Sequence, residues 1–471
     1  MYSATPRVNR NKKNTNLLAD VDFSNNFAIQ SNFKTIKSME STEPSFWQRQ
    51  ATTIKGILIF FLLLVLLIPT SMVDSLISER QSRQAEAVSE VSSKWGQSQI
   101  LAGPVLIVPY QVVQRAADGK EIARETKYAY FLPDELNVQS TVNPEKRHRG
   151  IFDVVLYSSQ ITMEGSFPQP VLASLVPPGA EVLWNKAALE FGIPDLRGLK
   201  DQVALQWDDQ QRVFEPGIPI PGVAGSGIHV ELALDPAGTS AHHFRMQVAL
   251  KGSGSLFFTP LGKVTTVKMN SPWADPSFTG AFLPDEKTIS AAGFDASWKV
   301  LNLNRNYPQQ WNSDQTISIE ESTFGVEFIL PVDNYQKSTR SVKYAILFIG
   351  LTFLTVFFVE MRQARPVHPF QYALIGLALV IFYTLLVAIS EQVPFNAAYL
   401  IAALMTIGLT GLYAKALFES GRMALLVSGA LTILYGFLFV VLQQQDYALL
   451  IGSLGLFVIL GVVMYFSRRI S

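Results

Sequence analysis

Apolar residues in this chain are gathered into six runs, at 54–73, 344–359, 370–389, 397–417, 423–442 and 448–466. Each approaches the ~20 residues that a helix needs to cross a ~30 Å hydrocarbon layer. The run at 344–359 is the shortest and is expected to borrow residues 341–343 at one end. One such run would suit a buried helix of a soluble protein, but six with so little charge predict membrane spans.

The interval between the first and second runs has a different texture. Residues 228–234, 244–250, 264–269 and 323–330 alternate apolar and polar at period two, and 105–113 is a nearly continuous apolar run interrupted by Pro109. Alternation gives a strand one buried face and one wet face. The interval therefore predicts a large, mainly antiparallel β domain, sandwich-like, with the PGIPIPG stretch at 216–222 as a rim turn. Ahead of it, Leu76, Ile77, Val88 and Val91 stand among charged residues, so the first membrane helix is expected to continue as an amphipathic stalk to about Lys94. The string FLPDE occurs at 131–135 and again at 282–286, as two related modules or a shared strand-to-turn signal would each produce.

Charge orients this multi-pass α-helical plan. Lys34, Lys37, Arg49 and Lys55 precede the first run, Arg362 and Arg365 follow the second, Lys415 and Arg422 follow the fourth, and Arg468 and Arg469 follow the last. The alternate loops carry only Glu391 and Asp446. Positive loops stay inside, so both termini are expected in the cytoplasm and the β domain outside, in the periplasm of a two-membrane cell. The expected divisions are a disordered tail at 1–50, a first span at 51–73, the β domain at 74–343 and a five-helix domain at 344–471. The first span reads as an uncleaved anchor, being longer than a signal core and lacking a small-x-small cleavage site. The 38 basic and 38 acidic residues split into 24 against 30 within 74–343 and 14 against 8 elsewhere. Neither imbalance suits a nucleic-acid partner.

Candidate chemistry is sparse. With no cysteine, thiol metal sites and disulfides are excluded, and the exported domain must rely on a buried core. The GSG strings at 225–227 and 252–254 lack the spacing of a nucleophile elbow, and the five histidines lack zinc-like spacing. Glu360, Lys415 and Asp446 fall near helix ends, so the spans read as an anchor without charged transport machinery. Gly408, Gly411, Gly452 and Gly455 read as close-packing points. The one polar pair worth testing for hydrolysis is Asp195 with Arg197, against the alternative of a plain ion pair. No enzyme, cofactor or metal site is expected.

Several motifs in order carry a family resemblance. They are LAGPVLIVPY at 101–110, FLPDELNV at 131–138, SPWADPSFTGAFLP at 271–284, GFDASW at 293–298, DNYQKSTRSVKYAILFIGLTF at 333–353 and HPFQYALIGLALVIFYTLLVAISE at 368–391. From about residue 45 onward the chain resembles the inner membrane protein CreD family, also called cell envelope integrity proteins. One departure is that the family's Pro-His-Pro-Ser-Phe reads Ala-Asp-Pro-Ser-Phe here, at 274–278. The resemblance implies residence in a Gram-negative inner membrane, expression under a two-component system, and a link to envelope stress and tolerance of colicins or antibiotics. It implies no known reaction. The expected partners are the lipid bilayer and an envelope component. A transporter or lipid-handling protein is the competing reading. Trp273, Pro276, Phe278, Phe282 and Pro284 are expected to form a core corner or an interaction surface, with core favoured because large aromatics are usually buried. Lys337, Arg340 and Lys343 lead into the second span and are expected to anchor it at the headgroups or couple it to the β domain.

Overall fold

A computed structural model describes residues 46–115, 121–220, 222, 224–330, 334–363, 365–444 and 447–467. The expected tail before residue 46, Asp446, Arg468 and Arg469 lie outside the described residues. Helices α1 (Phe46–Val65) and α2 (Leu67–Trp95) follow one another with a single step at Leu66. The step has a local cause. Pro69 has no N–H to offer the carbonyl of Val65 and its ring crowds that carbonyl, so the helix restarts and Pro69 falls in a first turn. Helical bonding bridges the step, with Leu66 N–H donating to Leu62 O at 3.0 Å and Thr70 N–H to Leu66 O at 3.2 Å. The stalk ends at Trp95, one residue from the expected limit.

Two sheets, one of ten strands and one of eight, share one apolar core that includes Leu106, Leu189, Val248, Val267, Trp298 and Phe324. The ten-stranded sheet is organised around Gln99–Arg115, which pairs antiparallel with Glu121–Phe131 and Ala187–Gly192 and parallel with Ser255–Phe258. The eight-stranded sheet runs Glu286–Ser290, Gly293–Leu301, Val264–Ser271, Glu135–Arg149, Phe152–Phe167, His242–Ser253, Ala204–Trp207 and Gln210–Val213. Its neighbours are antiparallel except Val264–Ser271 beside Glu135–Arg149. The expected alternation is visible in Glu135–Arg149, where Leu136, Val138 and Val142 are buried while Gln139 and Thr141 are exposed.

Both FLPDE strings carry the chain from one sheet to the other and open a hairpin. In each, the Asp amide donates to the carbonyl of the residue opposite the following Glu, Asp134 to Ser166 at 2.8 Å and Asp285 to Ser297 at 2.9 Å. The strands that follow differ, since Glu135–Arg149 lies inside the sheet and Glu286–Ser290 at its edge. The echo is a shared sheet-switching turn whose surroundings do not repeat.

Among the described residues five helices are long and apolar enough to cross a membrane: the one containing Thr53–Trp95, α4 (Ala345–Gln363), α5 (Pro369–Ser390), α6 (Phe395–Phe418) and α7 (Gly421–Gln443). The sixth run forms α8 (Ala448–Ser467), whose described apolar part is the shorter Leu450–Tyr465. The second span does not borrow residues 341–343. These belong to a separate helix, α3 (Asn334–Lys343), and α4 gains its length past residue 359 instead. Glu360 falls in the last turn of α4, as expected, but is buried there. Its carboxylate accepts from Val367 N–H at 3.0 Å and Tyr372 O–H at 2.8 Å and so shapes the α4–α5 turn.

Candidate functional site

Two junctions bear on how the sheet domain and the helices are joined, and Phe152 of the sheet also packs against the helix cluster. The first is the upper end of α2. Gly96 leaves the helix at φ 152°, and a Cβ there would lie 2.8 Å from Lys251 O, so both conformation and space call for glycine. Trp95 donates its indole N–H to Tyr157 O at 3.3 Å, and Lys251 Nζ stands 4.3 Å from the centre of its ring.

Asp195 and Arg197 complete this clamp. The Arg197 guanidinium grips the carboxylate at two points, Nε to Oδ1 at 2.8 Å and Nη2 to Oδ2 at 3.0 Å, and donates from Nη1 to Ser93 O at 2.5 Å. Gln97 N–H donates to Asp195 Oδ2 at 3.0 Å, and Gln99 Nε2 donates to Asp195 O at 3.1 Å. Burial pushes the Asp195 carboxyl up, but the Arg197 side chain and the Gln97 and Arg197 amides outweigh it and hold the group below its usual range. Both members of the pair are committed to joining stalk and sheet.

The second place is α3, which packs against α2, α4, α5 and α7. Asn334 donates to Ser390 O at 2.7 Å, and Tyr335 O–H donates to Glu391 Oε1 at 2.9 Å. Arg80 of the stalk reaches the same Glu391 oxygen at 3.6 Å. Lys337 Nζ lies 5.3 Å from the centre of the Phe395 ring, and Arg340 donates to Gln444 O at 2.7 Å. Lys337 and Arg340 therefore hold neighbouring loops, whereas Lys343 is exposed at the end of α3. Sequence reasoning named these cations but missed Arg80, Tyr335 and Glu391. Their signal was weak, because Tyr335 stands 56 residues from Glu391 and Arg80 much further from it along the chain.

The aromatic corner belongs largely to the core. Trp273 is buried, donates its indole N–H to Asp275 O at 3.1 Å and meets Phe328 edge-on. Phe278 is half-buried and edge-on to Phe294 and Trp298, and Phe282 is half-buried against Phe324. Pro276 opens the edge strand Pro276–Gly280, a position that needs no inward N–H, and Pro284 is half-buried in the sheet-switching turn.

One buried acid was not foreseen. Glu190, on the strand Ala187–Gly192, is 2% exposed, and burial raises its carboxyl to about 7. Oε1 accepts from Ile220 N–H at 3.2 Å, while Oε2 has no partner among the described residues. Among the described residues no cluster of three His, Cys, Asp or Glu could hold a metal ion. Within the helices, the rings of Phe382, Tyr399, Tyr435 and Phe348 pack together, and Tyr399 O–H donates to Tyr435 O at 2.7 Å.

Comparison with known proteins gives a consistent result. The family described as inner membrane protein CreD matches residues 51–471. The inner membrane protein CreD of Escherichia coli strain K12 is 30% identical over 431 residues, covering 91% of this chain and 94% of that protein.

Proposed function

The chain belongs to the CreD family of inner membrane proteins, and on that premise we propose that it supports cell envelope integrity under stress, including tolerance of colicins or antibiotics, without catalysing a reaction. Its sheet domain stands in the periplasm, both termini lie in the cytoplasm, and the domain engages an envelope component and passes the load to the membrane helices. The observation that carries this reading is the fastening of the domain by Asp195 and Arg197 onto the last turn of α2, beside a helix, α3, that is itself tied to Glu391 and Gln444. At the clamp and around α3 the polar groups that converge are spent on joining elements, which favours coupling over catalysis there. The packed aromatic cluster favours an anchor over a transport path. Orientation is supported by Arg362, Lys415 and Arg422 on one side of the spans and Glu391 on the other.

The absence of cysteine makes the test direct. Single cysteines introduced at Asn270 and at Ser420 are probed in intact cells with a membrane-impermeant thiol reagent. Labelling at 270 and protection at 420 are expected; the reverse pattern overturns the orientation. Crosslinking from position 270 that recovers no envelope protein, lipid or cell-wall polymer overturns the engagement.

A further inference from the structure

The outward face of the eight-stranded sheet carries two side-chain ladders in register across five strands. One runs through Thr288, Asp295, Asn270, Thr141 and Gln160. The other, two residues along each strand, runs through Glu286, Ser297, Lys268, Gln139 and Thr162. Strand spacing makes each ladder about 19 Å long and sets the two about 7 Å apart. Together they line a shallow depression of about 410 Å³. A second depression of about 400 Å³, lined by Asn137, Glu164, Gln206 and Arg245 among others, continues along the same face.

The chemistry of the ladders is selective. Seven of the ten side chains are uncharged amides or hydroxyls. Among the described residues none of the ten hydrogen-bonds or ion-pairs with another group, although directly opposed pairs of this kind ordinarily do. Their donors and acceptors are uncommitted.

The same composition argues against other occupants. A lipid would need an apolar lining. A polyanion would need a basic one, and Lys268 against Glu286 and Asp295 leaves a net of −1. The core of a protein interface is enriched in aromatic residues, Met and Arg, and the ladders contain none. We propose that this face binds a neutral glycan strand, whose hydroxyl and acetamido groups take up the free amides and hydroxyls along the two ladders. The proposal rests on the reading that the sheet domain faces the periplasm and engages an envelope component, and it names the class of that component.

The test uses the full chain in detergent micelles, with two glycan sources. Isolated cell-wall sacculi are used for co-sedimentation, and a soluble N-acetylglucosamine tetramer for calorimetric titration. The variant combines Gln139→Ala, Asn270→Ala and Gln160→Ala; Gln210→Ala, on the far edge strand of the same sheet, is the control. Equal melting temperatures establish that the variants are folded. The inference expects the wild type and the control to bind and the triple variant to bind roughly tenfold or more weakly, as loss of two or three hydrogen bonds gives. Binding to sacculi alone identifies the cell-wall strand; binding to both probes identifies a general neutral-glycan site. Wild-type protein that binds neither, or a triple variant that binds as the wild type does, overturns the inference. If crosslinking from the domain in cells still captures another envelope component, the broader functional reading survives that failure.

Discussion

Arg197 holds Asp195 at two points and the carbonyl of Ser93 at a third, so a sheet-domain residue fixes the last turn of α2. Asp195→Ala removes the acceptor of the Gln97 and Arg197 amides as well as the ion pair. The expected loss is about 2 kcal/mol of domain stability, read from denaturant unfolding followed by tryptophan fluorescence. The acid response follows from the same group. Its carboxyl is depressed in the folded state, so its contribution is complete above the unfolded value and disappears as pH falls through the lowered folded value. Wild type should lose stability on acidification below about pH 4 more steeply than Asp195→Ala does.

Glu190 acts in the opposite direction. Its carboxyl is raised from 4.5 to about 7, so the folded domain favours the protonated form. Its contribution is complete below about 4.5 and is lost as pH rises toward about 7. Over that interval wild type is expected to lose roughly 3 kcal/mol relative to Glu190→Gln, which has no proton to shed. Unfolding midpoints measured from pH 4.5 to 8 check this, and parallel curves would refute it.

The α3 contact predicts a graded response at the junction. Tyr335→Phe keeps the ring and removes the hydroxyl that donates to Glu391, at a cost of about 1 kcal/mol. Glu391→Gln weakens both that bond and the attraction to Arg80, so it should cost more. Thermal melting of the purified protein in micelles should fall in the same order.

Two glycines four helical positions or fewer apart should behave differently. A Cβ on Gly455 would lie 2.2 Å from Phe437 Cζ, whereas one on Gly452 meets only Tyr344 Oη at 3.9 Å. Gly455→Ala is expected to cost about 1–3 kcal/mol by forcing the Phe437 ring aside. Gly452→Ala should be neutral, as thermal melting in micelles would report.

The apolar runs and period-two stretches carried most of the architecture. The pattern at 264–269 anticipates Val264–Ser271, and that at 244–250 falls inside His242–Ser253. These elements are legible because their physics is local: one buried face sets one period. Of the four glycines read as packing points, Gly411 and Gly455 meet close neighbours, while Gly408 has nothing within 4 Å and Gly452 only an ordinary contact. The runs show that helices exist but do not say which faces meet. The clamp was illegible for the same reason, since Asp195 reaches Gln97 from 98 positions away in the chain. The buried Glu190 sits in Ala-Ala-Leu-Glu-Phe-Gly, where an acid reads as the wet side of a strand. Both neighbours bury it because the strand is covered on either side.

The length of α2 has a consequence for where the domain can work. From Val73, at the end of the first apolar run, to the clamp at Trp95 the helix rises about 33 Å. That distance is fixed by the helix itself. It sets the spacing along the helix between the apolar run and the clamp, while Phe152 at the start of its strand reaches back to pack against the helix cluster that includes Val73, Ile77 and Tyr335. Shortening α2 by one turn would draw the clamp toward the apolar run by about 5.4 Å and set it against the Phe152 contact.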